Sequence, residues 1–568
     1  MKNEVTGARI DARPPINRPI NILLIGPYDP HCGEYTFLAP PLGVWRLCGY
    51  LNDHGHAATV FDPNNCKGAP TTEFRELLAS RDWDIVGSST TGMTLKYDLS
   101  LCSIARTMLP DALLIGGGME ATFAPGLVSQ LAQLDLVVLG EGEKPLRELA
   151  ERMQRGDALF GVESTAIPLQ DGNVHKLHGY ALDYDEFRDA VMRTPYEDMP
   201  FEEYWVRLEQ SYSINSLTEK AAREARLSEI RSVRIATLNY CPMACTFCSS
   251  TNFLHEVQDK VAKVTRLSAD DCLTMIDRVL AAQPGVRTII WQDDIFVFTN
   301  DKRIIPLCEG IIAGKASGRF PEHLKFISTN RIDAMTPERL AIMKLAGFRV
   351  LGFGVESFSR NVLGEFNKAQ IYKHIDTNLA EAVRLGLTPF LDLIMSSPRC
   401  SVADIHTTVT RAYYWIMQGC EVGLYPYIIP FSGSVMARDP ELKAHTISET
   451  VTVPGTDISW QQPQKILPID DTARHLICEI ERRFTRRLET VSAAGGHMPS
   501  RTRSLIWVES ALPLLAAEGF VVPDVRKIAA IIESRTSAVD DDMTDDTTPE
   551  ALFRTQSQEL RTLSAARN

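Results

Sequence analysis

The sequence predicts an α/β protein: an N-terminal Rossmann-like parallel sheet, then an open (βα)₆ barrel, then a helical C-terminal region. Three observations carry that prediction. Strand-like apolar runs alternate with helical runs twice, over residues 20–150 and again over 233–430. A polar stretch separates the two series. Cys241, Cys245 and Cys248 stand at C-x₃-C-x₂-C spacing where the first strand of the second series should give way to its helix.

The first series, expected over 1–150, opens with the buried-strand run INILLIG (20–26). The helical PLGVWRLCGYLNDHG (41–55) follows, with a glycine stop. AATVFD, WDIVGSST, the helical YDLSLCSIARTML, ALLIGGGMEAT, LDLVVLGEGE and the helical KPLRELAERMQ complete it. On such a sheet, ligands bind where the loops leave the carboxyl ends of the strands. Glycines there let the backbone approach a ligand closely. No G-x-G-x-x-G follows Gly26, so a nicotinamide fingerprint is absent. A ligand-free flavodoxin-like domain is the alternative.

Residues 151–230 read as a linker containing a loop and a polar helix. The second series, expected over 231–435, has strand runs SVRIATLN, RTIIW, LKFIST, RVLGFGVES, TPFLDLIM and EVGLYPYIIP. Six βα units make an open barrel rather than the closed eightfold one. Asp293, Asp294, Ser328, Arg331, Glu356 and Ser396 stand at its strand ends and together mark a binding face.

The cysteine spacing lets one loop hold three irons of a [4Fe–4S] cube and leaves the fourth iron without a cysteine. An open iron is a site for a small molecule. Zinc is the other reading, but its sites usually take a fourth Cys or His from a similarly spaced pair. His255 has no such companion.

With these motifs in place, the chain resembles the cobalamin-dependent radical S-adenosylmethionine (SAM) enzymes, the class B radical methylases, over roughly residues 20–435. CPMACTFC matches the cluster motif of that superfamily. The resemblance implies that Cys241, Cys245 and Cys248 ligate the cluster. It further implies that Phe247, Asp293, Asp294, Ser328, Arg331, Glu356 and Ile394 bind SAM. APPLGVWRLCGYL, DIVGSSTTGMT, LLIGGGMEA and LGEGE look like the preceding cobalamin-binding domain. There the resemblance implies Tyr28, Ser88, Ser89, Thr90, Gly116, Gly117, Gly118, Gly140, Glu141 and Gly142 as cobalamin contacts. Two segments depart from the family pattern. Asp29-x-His31-x-Gly33 is one residue short of the D-x-H-x-x-G motif that supplies a cobalt ligand, and LNYCP lacks the usual Arg-Gly before the first cysteine.

The implied chemistry is one-electron reductive cleavage of SAM to methionine and a 5′-deoxyadenosyl radical. Hydrogen abstraction from substrate carbon and methyl delivery from methylcobalamin follow. The expected function is therefore C-methyl transfer to a small metabolite, with cyclisation or rearrangement as the alternative. A radical SAM enzyme with a vestigial first domain, and a cobalamin sensor with an inert barrel, are the other readings. No individual catalytic residue is assigned. A one-electron donor such as flavodoxin or ferredoxin is the implied partner.

At 568 residues the chain accommodates several domains, with 44% hydrophobic and 23% charged residues. A net charge of −13 argues against a nucleic-acid surface. No run reaches the ~18 apolar residues of a membrane helix, and the N-terminus lacks a signal-type apolar core, so a cytoplasmic protein is expected. The other nine of 12 cysteines are scattered and fit reduced thiols; Cys400 and Cys420 are expected to be buried structural groups. Residues 436–535 are expected to form a helical cap. Residues 536–568 read as an acidic disordered tail, with five aspartates between Asp540 and Asp546.

Overall fold

The first sheet places the order of its strands in the service of a cleft. The computed structural model describes residues 8–30, 39–211, 214, 220–258, 261–492 and 500–537. His31, Gly33 and the Asp540–Asp546 run lie outside these. Strands β1 (Asn21–Ile25), β2 (Ala57–Phe61), β3 (Ile85–Ser89), β4 (Leu113–Gly117), β5 (Leu136–Val138), β6 (Thr165–Pro168) and β7 (Val174–Leu177) form one sheet in the order β2-β1-β3-β4-β5-β6-β7. β1 to β5 run parallel; β6 and β7 add antiparallel. Leu23 and Ile25 of β1 feed one apolar core while Ile22 and Leu24 feed another, because helices cover both faces. The strand order reverses beside β1, which opens a crevice at the carboxyl ends.

β6 and β7 fall inside the stretch read as a linker. They are only four residues each, too short for a clear periodicity, and are joined through Asp171 and Gly172, with Gly172 at φ +85°.

Six parallel strands form the second sheet in sequential order: β8 (Ser232–Ile235), β9 (Thr288–Trp291), β10 (Lys325–Asn330), β11 (Phe348–Glu356), β12 (Thr388–Ile394) and β13 (Glu421–Tyr425). This is the open barrel that the six βα units imply. Alternate residues such as Val233, Trp291, Phe326, Leu351, Leu391 and Val422 are buried against the surrounding helices. The intervening residues, among them Ile327, Gly352, Phe390 and Gly423, are only half-buried and face the lumen.

The C-terminal region is not wholly helical. β14 (Thr446–Thr452) and β15 (Ser459–Ile466) form an antiparallel hairpin before the helices Asp471–Ser492, Ser500–Ala517 and Val525–Ser537. The β-branched alternation in TISETVT and the intervening Pro-Gly are the strand and turn signals that a helical reading passes over. The helix Ser500–Ala517 packs on β13, where the Ser504 hydroxyl donates to the Val422 carbonyl, and so covers the barrel's open edge.

The two sheets are packed together through side chains of the cysteine segment. Tyr240, Leu254, Val257 and Ala262, all from the second unit, are buried in a core of the first. Gly140, at φ +70°, lets the loop after β5 press on that segment, since a Cβ there would lie 2.4 Å from Val257 Cγ2. Gly140→Ala is expected to cost about 1–3 kcal/mol through both the clash and the left-handed backbone. Thermal denaturation should show a lower midpoint, and Val257→Ala in the same chain should recover part of it. A midpoint equal to wild type would rule out this close approach.

Candidate active site

The cysteine loop leaves β8 and is braced from three directions. Asp293, at the end of β9, accepts the backbone N–H of Thr237 at 2.5 Å and of Leu238 at 3.0 Å. Arg303 donates to the Thr237 hydroxyl at 2.8 Å and fixes that corner from behind. Thr246 N–H donates to the Phe366 carbonyl at 3.0 Å, and Asn367 Nδ2 donates to the Ala244 carbonyl at 2.8 Å. Cys241 and Cys245 are buried and Cys248 half-buried. Burial pushes all three thiols up, Cys241 to about 12, and the thiols and Asp294 add to the effect on one another. Among the described residues no three His, Cys, Asp or Glu side chains converge on a single-ion site. In a [4Fe–4S] cube each thiolate takes a different iron.

Asp294 is the acidic group left open beside these thiols. It is exposed, and burial of its surroundings with neighbouring Asp293 raises its carboxyl above the usual carboxylate range, while a hydrogen bond from the Ser250 side chain opposes the rise. Glu356 ends β11 at φ +66°, a left-handed backbone that few non-glycine residues adopt. It accepts from Lys368 Nζ at 2.9 Å. Burial opposes the Lys368 charge, but Glu356 and the Cys245 thiol outweigh it and hold the ammonium protonated. Lys368 was not visible in the sequence. It sits in FNKAQ, between Asn367 and Ala369 with positive φ, and only the fold brings that loop to the cysteines.

The other expected binding-face residues take the following places. Asp293 is buried and spends its carboxylate on the loop backbone. Arg331 is spent on Asp333 at 3.0 and 2.9 Å and on the Lys368 and Ala369 carbonyls. Ser328 lies on the helix-facing side of β10, 1% exposed, and accepts from Asn330 Nδ2. Thr329, one residue on, is the exposed side chain of that strand. Ser396 is buried and donates to the Pro426 carbonyl at 2.6 Å. Phe247 packs its ring on Phe366, 4.9 Å between centroids, and Ile394 is buried in the same core. Cys400 and Cys420 are buried.

At the other sheet a cavity of about 250 Å³ opens over the ends of β1, β3, β4 and β5. Ser88, Ser89, Gly116, Gly117, Gly118, Gly140, Glu141 and Gly142 line it. Tyr28 and Thr90 do not: Tyr28 N–H donates to Asp98, and the Thr90 hydroxyl is tied to the Gly117 carbonyl and Ala121 N–H. Gly118, at φ +85°, folds so tightly that a Cβ would fall 2.7 Å from the Thr90 carbonyl. Arg46 and Glu143 also line the cavity, paired at 2.6 Å. Two further lining residues, Asn239 and Phe253, come from the cysteine segment itself. The cavity therefore opens between the glycine loops and the loop that carries the thiols. A second cavity, about 480 Å³, is lined by Pro242 of that loop with Lys263, Arg266 and Phe298 among others.

Two family descriptions match the chain, the B12-binding domain over residues 30–150 and the radical SAM superfamily over residues 235–412. The chain is a cobalamin-dependent radical S-adenosylmethionine enzyme. Its cofactors are a [4Fe–4S] cluster, SAM and cobalamin. It is 21% identical over 380 residues to an uncharacterised methyltransferase of Pyrococcus horikoshii, covering 66% of this chain and 73% of that protein. It is 25% identical over 359 residues to the anaerobic magnesium-protoporphyrin IX monomethyl ester cyclase of Rubrivivax gelatinosus, covering 61% of this chain and 58% of the cyclase. Among solved structures, the radical SAM methyltransferase TsrM of Kitasatospora setae, with cobalamin and [4Fe–4S] cluster bound, superposes with TM-score 0.57 at 16% identity, over 79% of this chain and 83% of that one. The cobalamin-dependent SAM radical enzyme OxsB, with aqua-cobalamin bound, gives TM-score 0.62 at 16% identity, over 96% and 76%. Both are likenesses of fold.

The residues of this cobalamin-dependent enzyme fit both metallocofactors. Glu141 Oε1 and Glu143 Oε2 are buried without a partner in residues that line this cavity, and cobalamin carries peripheral amides. Amide N–H groups would supply the donors these oxygens lack. Burial, with Glu143 beside it, pushes the Glu141 carboxyl from 4.5 to about 7. Between those values the folded protein holds a proton that the unfolded chain has lost, so stability falls as pH rises through this window. Glu141→Gln is expected to make that fall shallower, measured as denaturant midpoints at about pH 5 and about pH 8. An unchanged slope would place Glu141 outside this environment. Cys248→Ala is expected to lose most of its iron after anaerobic reconstitution while keeping its cobalt, read by parallel metal analysis. Full iron retention would remove Cys248 from the ligand set.

Proposed function

We propose that this enzyme is a C-methyltransferase that moves a methyl group from SAM, by way of cobalamin, to a carbon of a small metabolite. One observation carries the reading: the cavity over the glycine loops is walled by Asn239 and Phe253 of the cluster segment. Cofactors on either side of that wall are near neighbours, as a relay between them requires. When bound, they supply the one-electron reduction of SAM and a transferable methyl group, and the protein supplies position and the exclusion of water.

In this reading Cys241, Cys245 and Cys248 hold the cluster. Asp294, open beside the thiols, receives the SAM amino group. Glu356, held in place by Lys368, faces the ribose, and Ile394 lies towards the adenine. Ser88, Ser89, Gly116, Gly117, Gly118, Gly140, Glu141 and Gly142 cradle cobalamin. Asp293 and Arg331 serve as positioning residues, since each fixes a backbone segment next to the cysteines. A one-electron donor of the flavodoxin or ferredoxin kind is part of this reading. The cavity beside Pro242, with Lys263 and Arg266 in its wall, is the approach to the cluster from outside. The protein is proposed to work in the cytoplasm; among the described residues no helix is long and apolar enough to cross a membrane.

The cyclase relatives favour one second reading, in which the same cofactors close a ring instead of adding a methyl. Reconstituted enzyme given SAM labelled in its methyl group and a metabolite extract should place the label in one product, heavier than its precursor by one CH₂ per event. Product of unchanged carbon count with unlabelled skeleton would overturn methyl transfer and favour the cyclase reading. Reconstitution should also give an iron-to-cobalt ratio of about four. Iron without cobalt would leave a radical SAM enzyme with a vestigial first domain.

A further inference from the structure

On the inner face of the barrel, one of the described charged groups, Asp392, stands without a partner. Asp392 alternates with the helix-facing Leu391 and Leu393 on β12 and so projects into the lumen. Among the described residues its carboxylate makes no hydrogen bond and no ion pair. In register with it on the two neighbouring strands are glycines, Gly354 on β11 and Gly423 on β13. At Gly423 the absent side chain leaves a recess. A Cβ there would lie 3.2 Å from Asp392 Oδ1, 3.4 Å from the Phe390 ring at Cζ and 3.4 Å from the Tyr425 hydroxyl. A carboxylate oxygen, an aromatic ring and a hydroxyl thus converge on one point. On the other flank, a Cβ at Gly354 would lie 2.5 Å from Glu356 Oε1 and 3.0 Å from Lys368 Nζ, so the recess adjoins the pair that reaches the cluster thiols.

Positive charge near this point is already engaged. Lys368 is held by Glu356, and Arg503, which acts on Tyr425, lies over the Phe484 ring. Burial, with Glu356 adding to it, pushes the Asp392 carboxyl up to about 7, and Lys368 offsets this only in part. A desolvated carboxylate is best satisfied by a ligand that brings charge and donors together. An ammonium group does both, with three N–H donors and an attraction to aromatic faces.

We propose that Asp392, with Phe390 and Tyr425 around the Gly423 recess, forms a substrate subsite for a basic nitrogen, so that the metabolite acted on is an amine. The proposal rests on the reading of the lumen as the substrate side of the reaction. Asp392 acts in it by holding the substrate; no bond is made or broken at its carboxylate.

The test is anaerobic isothermal titration of the reconstituted enzyme with benzylamine and with the neutral isostere benzyl alcohol. Wild type is expected to bind the amine at least about tenfold more tightly, the scale of one charge-assisted hydrogen bond. Asp392→Asn should abolish the preference. Gly423→Ala, which keeps the charge but fills the recess, should weaken amine binding by a similar factor. Equal binding of the two probes to wild type would overturn the subsite, as would a preference that survives Asp392→Asn. Iron content and reductive formation of 5′-deoxyadenosine are scored on the same preparations. An amine preference in enzyme that never transfers a methyl group would keep the subsite and sink the methyltransferase reading instead.

Discussion

The cysteine segment belongs to two cores at once, and the rest of the molecule is arranged around that fact. Its backbone is pinned to the barrel through Asp293, Arg303 and the loop at 365–369, while Tyr240, Leu254 and Val257 are buried in the first sheet's core. Neither attachment alone would suffice. The barrel contacts hold the thiols near one another, and the contacts with the first sheet set how far they stand from the glycine loops. Burial of three apolar side chains contributes several kcal/mol, at roughly 1.5–3 kcal/mol each, which is enough to fix the distance.

Much of the polar chemistry around the thiols therefore goes into construction. Asp293 and Arg331 carry the charges that a ligand would find attractive, yet both are satisfied by backbone groups or by Asp333. Glu356 and Lys368 satisfy each other. The groups left over are few, and this is informative. Among the described residues, Glu141 Oε1, Glu143 Oε2, Asn330 Oδ1 and Gln370 Oε1 are buried acceptors without a partner, and the Asp392 carboxylate in the lumen has none either.

The strands and the cysteine motif were legible because they depend on local pattern. Apolar runs bounded by glycine mark parallel strands whatever surrounds them, and C-x₃-C-x₂-C is read from spacing alone. Which face a strand residue occupies was less legible. β10 is apolar towards its helices and mixed towards the lumen, so Ser328 and Thr329 are both polar and adjacent, and a one-residue difference decides which meets the lumen. Lys368 could not be found at all from its neighbours, since its role comes from a loop folded back onto residues 244–246. The hairpin β14–β15 was missed for another reason: its strands are mostly exposed and polar, and carry little of the apolar signal by which strands are recognised.

That hairpin ties the molecule's two ends of function together. It leaves the barrel, and its far turn sets Val453 fully buried in the first sheet's core, while Gln462 Nε2 donates to the Gly92 carbonyl at 2.8 Å. Swinging the sheets apart would draw Val453 into water. The assembly is thus latched rather than hinged, and the two sheets keep their spacing through side chains far from the thiols.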